Sequence, residues 1–150
     1  MYSDGSALEQ LSRDECLRLM GSVYLGRLIY TRRALPAVEL VTFALDHGDI
    51  IVRIEAGGRV ADATQHSVVA FETDELDAGQ QAGWSVTAIG QSRDVTDPAE
   101  IGRLQKIGLT SWAPGVRDYF IRISPEILNG RRLRVSAQQT PADHPAPVAR

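Results

Sequence analysis

The chain has 150 residues, a formal net charge of −3 and a sequence pI of about 5.6. A chain of this length folds as one domain that buries roughly two thirds of its unfolded surface. Its acidic balance gives no general attraction to nucleic acid or to an anionic membrane, and no run approaches the roughly 20 apolar residues needed to cross a bilayer. Because Cys16 is the only cysteine, an intrachain disulfide and a cysteine-rich zinc site are excluded, and we expect a cytoplasmic protein.

The N-terminal part predicts one short helix behind a flexible start. Residues 1–11 are polar and are expected to be flexible. Ser12 and Glu15 have the spacing of a capping box, in which each side chain satisfies a backbone amide at a helix start. Apolar residues at helical spacing follow, including Cys16, and Gly21 is the expected end of the helix.

The rest of the sequence predicts strands joined by short turns. Residues 23–31, 37–45 and 50–54 are rich in β-branched and apolar residues, with turn residues at 46–49. The pattern then predicts a helix at 59–65, a strand at 68–72 and a loop at 74–82. A strand at 84–95, bent at Gly90, and a helix at 98–106, capped by Asp97, are expected next. The last predicted strands are 119–123 and 127–135, and the second of these contains a turn at Asn129–Gly130. The tail, 136–150, is expected to be disordered. Residues 12–135 therefore predict one mainly β domain, a six-stranded antiparallel barrel with short helices at its ends.

Common catalytic signatures are absent from the sequence. There is no Gly-rich dinucleotide motif, no phosphate loop and no His-Glu-x-x-His, and the three histidines lack metal-binding spacing. We therefore predict no metal site and assign no catalytic residue. A basic run at Arg131, Arg132 and Arg134 is short for a phosphate site and is interpreted as surface or dimer contact.

The segment from Val38 to Val60 is the one in which binding chemistry is expected. Two apolar strands lead to Arg53, and Gly57, Gly58 and Arg59 follow at the start of a predicted helix. Free amides beside an arginine are suited to a phosphate. The alternative interpretation is an ordinary glycine turn with a surface arginine.

Six short blocks in one order carry a family resemblance. They are Gly26-Arg27-Leu28, Val41 to Asp46, Val52-Arg53 with Gly58-Arg59-Val60, Val69 to Glu72, Gly83 to Val86 with Gly90, and Trp112 to Gly115. In this order and spacing, from about Leu11 to Leu133, the chain resembles the flavin-binding proteins similar to pyridoxamine 5′-phosphate oxidase.

The resemblance implies a six-stranded split β-barrel of the FMN-binding type and a homodimer with two equivalent flavin sites between the protomers. Val41 to Phe43 would follow the flavin ring, and Arg53, Gly58 and Arg59 would lie near its phosphate. Trp112 would close the site from the other protomer. The cofactor-binding residues implied are Val41, Thr42, Phe43, Arg53, Ile54, Gly58, Arg59, Val60, Trp84, Ser85 and Trp112.

Several positions depart from the family pattern. Members often carry threonine at the position of Ile54, a hydroxyl residue at Gly58, and lysine in the corner formed by Arg59 and Val60. Val38 and Phe43 stand where the vitamin-B6 oxidases have basic phosphate ligands, so the departures argue against that oxidase activity.

The resemblance leads to one principal functional hypothesis and three alternatives. The principal hypothesis is an FMN-dependent oxidoreductase that acts on a small molecule. The alternatives are a reductase that uses a deazaflavin coenzyme, a flavin carrier without turnover, and a haem-binding protein.

Overall fold

Seven strands and three short helices form the part of the chain that the computed structural model describes, residues 6–55, 58–109 and 118–135. In chain order they are β1 (Ser6–Gln10), α1 (Arg13–Met20), β2 (Leu25–Arg32), β3 (Leu35–Asp46), β4 (Asp49–Glu55), α2 (Arg59–Thr64), β5 (Val68–Asp77), β6 (Ala82–Asp94), α3 (Pro98–Gln105) and β7 (Asp118–Val135). Strands β2 to β4 form the predicted meander.

The sheet closes into a barrel. Its strand order is β1-β7-β4-β3-β2-β5-β6, and an additional β6–β7 pairing completes a ring of six strands, all antiparallel to their neighbours. The prediction of a six-stranded antiparallel barrel is confirmed. Strand β1 is a seventh strand outside the ring.

Strand β1 lies within the segment that was expected to be flexible. Ser6 pairs with Val135 and Gln10 with Arg131, in an antiparallel ladder along the end of β7. Its five residues show no alternation of apolar and polar types, so the sequence gives no strand signal. The exposed edge of β7 supplies the hydrogen bonds instead. The predicted tail, 136–150, lies outside the described residues.

The predicted capping box at the start of α1 is confirmed. The Ser12 hydroxyl accepts a hydrogen bond from the Glu15 amide at 3.2 Å, and the Glu15 carboxylate accepts one from the Ser12 amide at 3.4 Å. Gly21 caps the other end, as predicted. Cys16 and Met20 are fully buried, so α1 presents its apolar face to the barrel.

Two predictions about the second half are wrong. Strand β7 runs without a turn through Asn129–Gly130, because Gly130 serves there as a close-approach residue: a Cβ at this position would lie 2.5 Å from the Cys16 sulfur. Strand β5 continues to Asp77, into the predicted loop, because its pairing with β6 extends to the Asp77–Ala82 pair.

Apolar side chains form two separate cores. The larger fills the barrel and includes Leu28, Phe43, Ile50, Phe71, Val86 and Ile121. The smaller lies outside the barrel beneath α3 and contains Ile51, Val95, Leu104, Leu109 and Phe120. None of the helices in the described ranges is long and apolar enough to cross a membrane.

Candidate functional site

The barrel splits between β3 and β4. Strand β3 pairs with β2 along its first part, up to Thr42, and with β4 only from Thr42 onward. Within the described residues, the last pair between β3 and β4 joins Thr42 to Arg53, whereas Ile54 and Glu55 pair with β7 alone. A crevice therefore opens between the first part of β3 and the end of β4.

One wall of this crevice carries backbone groups that β4 does not use. The Phe43 amide donates to the Tyr24 carbonyl at 3.0 Å, so Phe43 directs its backbone toward β2. Successive residues of an antiparallel strand direct their backbone groups to alternate sides. Leu40 and Val38 therefore direct theirs toward the split, and their side chains are 58% and 62% exposed. Such an edge can hydrogen-bond the polar rim of a planar ligand.

Arg53 lies at the closed end of the crevice. It stands on the outer face of the barrel between Thr42 on β3 and Phe120 on β7. Its side chain is half-buried, and its Nη1 donates to the Leu109 carbonyl in the segment that follows α3. The Arg53 side chain thereby links β4 to the segment that ends at Leu109.

A pocket of about 360 Å³ that is lined by several apolar residues includes Leu109. It lies between the end of α1 and the segment after α3, where Tyr24 and Ile107 are exposed. Its size lies at the lower end of the range found for small-molecule pockets, roughly 300–1,000 Å³.

Five of the predicted site residues point their side chains into the barrel. Val41, Phe43 and Trp84 are buried there, and Phe43 packs edge-on against Phe71 with ring centroids 4.7 Å apart. Ile54 and Val60 are partly buried against the same core. The buried side chains of Val41, Phe43 and Trp84 therefore belong to the barrel core.

The predicted phosphate corner is described in part. Gly58 is the N-cap of α2 and makes no side-chain capping bond. Arg59 opens this helix, but its side chain lies outside the described residues, as do Gly57 and the whole of Trp112. The structure therefore pairs Thr42 with Arg53, and α2 is the next element after β4 in the chain.

Ser85 lies apart from this group. It alternates with the buried Trp84 along β6 and faces outward, into a groove of about 680 Å³ that β1, β6 and β7 line. Strands β2 and β5 stand between β6 and β3 in the ring. Within one protomer, Ser85 and Arg53 thus belong to two different surfaces.

A buried ion cluster holds α3 against the barrel, and sequence analysis did not find it. The Arg122 side chain is only 7% exposed and contacts Asp46 at 2.6 Å, Asp49 at 3.0 Å and Glu100 at 2.9 Å. Arg103 of α3 adds a bidentate contact to Asp46 at 2.7 and 3.0 Å. The one available signal was a charged residue between two isoleucines, Ile121 and Ile123, in an apolar strand.

The cluster shifts the pKa of two carboxyls. Hydrogen bonds from Arg103, and then from Arg122, hold the pKa of Asp46 well below its usual range although burial opposes this shift. Burial alone would raise the pKa of Glu100, but the contacts with Arg93 and Arg122 together lower it. Both carboxylates are therefore ionised at neutral pH and fix the start of the segment that ends at Leu109.

The described ranges contain no group of three or more His, Cys, Asp or Glu residues placed to hold a metal ion. His47 and His66 are exposed in turns, with φ of 51° and 48°. The arrangement at the crevice is thus one of backbone edge, arginine and apolar surface.

A closed six-stranded ring that splits beside such a crevice defines the class of split β-barrel proteins. The sequence profile described as pyridoxamine 5′-phosphate oxidase matches residues 12–132, and the chain belongs to this family. It is 38% identical over 137 residues to the uncharacterized protein Rv0080 of Mycobacterium tuberculosis, covering 88% of this chain and 89% of that one.

Solved structures show the same fold. The FAD binding protein from Mycobacterium smegmatis superposes with a TM-score of 0.76 at 30% identity, over 85% of this chain and 100% of that one. A FAD-binding protein from Mesorhizobium loti superposes with a TM-score of 0.72 over 86% and 98% of the two chains. At 22% identity this second likeness shows the fold alone.

Proposed function

We propose that this chain binds a flavin nucleotide in the crevice between β3 and β4, with FMN as the cofactor, and that it acts as an oxidoreductase on a small molecule. The observation that carries the proposal is the parting of β3 and β4 at the Thr42–Arg53 pair. Among the described residues, it leaves a backbone edge of β3 that β4 does not pair with, exposed apolar side chains and a guanidinium along one crevice.

Each part of a flavin nucleotide matches one of these features. The backbone groups of Val38 and Leu40 can pair with the polar edge of the ring, and their apolar side chains can cover part of its surface. Arg53 lies at the closed end of the crevice, where its guanidinium can offer a charge-assisted hydrogen bond to the phosphate. The residues present therefore fit the group.

The bound flavin would supply hydride transfer, while the protein supplies binding and orientation. A carrier without turnover would use the same crevice. Mixing the flavin-loaded protein with a reduced nicotinamide and following flavin absorbance separates the two functions. Bleaching that reverses with an acceptor supports the oxidoreductase, and a spectrum that never changes supports the carrier.

The identity of the cofactor is part of the proposal. The Mycobacterium smegmatis relative is named for binding FAD, so FAD is the nearest alternative to FMN. A deazaflavin coenzyme would occupy the same crevice and is recognised by its different absorbance. Haem fits less well, because the described histidines, His47 and His66, are in exposed turns and Cys16 is buried inside the barrel.

We expect the substitution Arg53→Met to weaken the binding of FMN. The binding of riboflavin, which lacks the phosphate, should be nearly unchanged. Loss of one charge-assisted hydrogen bond costs about 1.5–3 kcal/mol, or about 10- to 150-fold in the dissociation constant. Fluorescence titration with both ligands measures the ratio of their affinities.

Arg18→Met is the matched control, because Arg18 lies exposed on α1 and away from the crevice. This variant should keep the affinity of the unmodified chain for both ligands. An equal loss of FMN and riboflavin affinity in Arg53→Met would contradict a phosphate contact and indicate a damaged crevice. Thermal unfolding of each variant shows that it is folded.

A homodimer is the second part of the proposal, and an apolar row on the outer face of the barrel supports it. Cross-strand pairing aligns five apolar residues on five consecutive strands: Val38, Ile29, Ala70, Ile89 and Ile127. Val38 and Ile127 are 62% and 50% exposed. A continuous apolar row on a barrel surface is typical of a contact with another protein.

The neighbouring row can supply polar contacts at the rim of such an interface. Arg27 contacts Glu72 at 3.0 Å and Asp74 at 3.2 Å, on strands β2 and β5. Because a two-fold interface presents the same patch from each subunit, an apolar centre with a mixed-charge rim is self-complementary.

We also propose a reducing, cytoplasmic location, in which the buried Cys16 stays a thiol.

We expect Ile89→Lys to convert the dimer to a monomer, because the new charge would lie within the apolar row. Sedimentation velocity at several concentrations measures the change in mass. Lys106→Ala, at an exposed site after α3, is the control and should stay dimeric. If the unmodified chain sediments as a monomer at every concentration, the proposed dimer is wrong.

A further inference from the structure

The outward groove beside β1 carries a set of polar side chains that the proposed flavin crevice does not use. The pairing of three strands sets Gln10, Arg131 and Ser85 in one row and Asn129 and Thr87 in the next. All five line the groove of about 680 Å³. They offer two hydroxyls, two carboxamides and a guanidinium on one surface.

Arg131 is the distinctive member of this set. Its side chain is exposed, and no hydrogen bond or ion pair joins its guanidinium to another residue of the described ranges. The arginines that follow it on β7 differ. Arg132 contacts Glu9 at 3.8 Å and Glu15 at 3.7 Å, and Arg134 contacts Glu9 at 3.6 Å.

These contacts also affect the net charge around the groove. Glu9 is its one lining carboxylate, and Arg132 and Arg134 both lie close enough to offset it. Three arginines against Glu9 and Glu15 leave this end of β7 with a net positive charge. An anionic ligand is therefore favoured over a cation.

We propose that this groove is a second ligand site, which binds the phosphate and ribose of a nucleotide. Arg131 would hold the phosphate through its planar fork, and the hydroxyls and carboxamides would hydrogen-bond the ribose. Leu8, which is 65% exposed at the same groove, offers an apolar surface for the base. The groove volume lies within the usual range for small-molecule sites, roughly 300–1,000 Å³.

Strand β1 builds the outer wall of this site. It is anchored by its ladder with β7 and by the Leu11 amide, which donates to the Gly130 carbonyl at 2.9 Å. Without β1, the row of Arg131 and Ser85 would be an open sheet surface.

Calorimetric titration of the flavin-free chain with AMP tests the proposal independently of flavin binding. We expect saturable binding of one AMP per chain and no saturable binding of adenosine. The affinity for AMP should be about 10- to 150-fold lower in Arg131→Met, because this variant loses a charge-assisted hydrogen bond. Arg33→Met is the matched control, because Arg33 is exposed in the turn between β2 and β3 and does not line the groove. It should bind AMP as the unmodified chain does.

Two results would overturn the proposal: absence of AMP binding to the folded chain, and equal AMP affinity in Arg131→Met and Arg33→Met. Both results are independent of whether FMN binds the crevice.

A second set of titrations, with dinucleotides and FMN, distinguishes the sources of the nucleotide. If Arg131→Met abolishes a preference for FAD over FMN, the groove binds the adenylate part of FAD. If Arg131→Met instead weakens the binding of a reduced nicotinamide dinucleotide and leaves the ratio of FAD to FMN affinity unchanged, the groove binds a separate nucleotide.

Discussion

Gly90→Ala is expected to lower the free energy of unfolding by about 3 kcal/mol or more, the upper end for an overpacked interior. A Cβ at Gly90 would lie 1.9 Å from the Ser124 carbonyl oxygen and 2.8 Å from its carbon. Both are backbone atoms of β7, so no side-chain rotation can relieve the contact. The site coincides with the register shift between β6 and β7 at Ile89/Gly90.

Gly102→Ala is the matched control for this prediction. Gly102 lies within α3, and a Cβ there would meet no atom within 4 Å. Alanine is favoured over glycine in a helix by roughly 0.5–1 kcal/mol, so this variant should be slightly more stable than the unmodified chain. Urea unfolding measures both, and equal stability of the two variants would contradict the described packing of β6 against β7.

Arg122→Met should destabilise the chain by about 3–5 kcal/mol, the usual cost of removing one partner from a buried ion pair. The substitution keeps most of the side-chain volume but leaves Asp46, Asp49 and Glu100 without their shared cation. Arg93→Met is the control. Arg93 also contacts Glu100, at 3.1 Å, but it is 48% exposed, so its loss should cost at most about 1 kcal/mol.

The same cluster predicts a pH dependence of stability. Because the pKa of Asp46 is lower in the folded chain than in the unfolded chain, its contribution is complete above the ordinary carboxyl value of about 3.9 and is lost as the pH falls below it. Arg122→Met removes one cause of the lowered pKa. The unfolding free energy of this variant should therefore fall less between pH 7 and pH 3, and an equal fall in both proteins would contradict the assignment.

Much of the fold follows from local sequence patterns. The capping box at Ser12, the hairpin turn at His47–Gly48 and the bend at Gly90 are determined by residues close together in the chain, and each occurs where predicted. Strand β1 and the unbroken β7 could not be predicted in this way. The first depends on the free edge of β7, and the second depends on Cys16, which packs against Gly130 from a distant part of the sequence.

The candidate site shows the same division. The resemblance selected Arg53 and the segment around Thr42, and these residues lie where β3 and β4 part. It also selected Ser85, whose groove is completed by β1, a strand that the sequence did not reveal. Arg122 was missed because its three carboxylate partners come from β3, the β4 start and α3, which only the folded chain brings together.

The central claim is that the parted strands β3 and β4 hold a flavin nucleotide. Equilibrium dialysis of the purified chain against FMN and riboflavin, read by flavin absorbance, tests it most directly. We expect saturation at one FMN per chain and weaker binding of riboflavin. No saturable binding of FMN, FAD or riboflavin by the folded chain would contradict it.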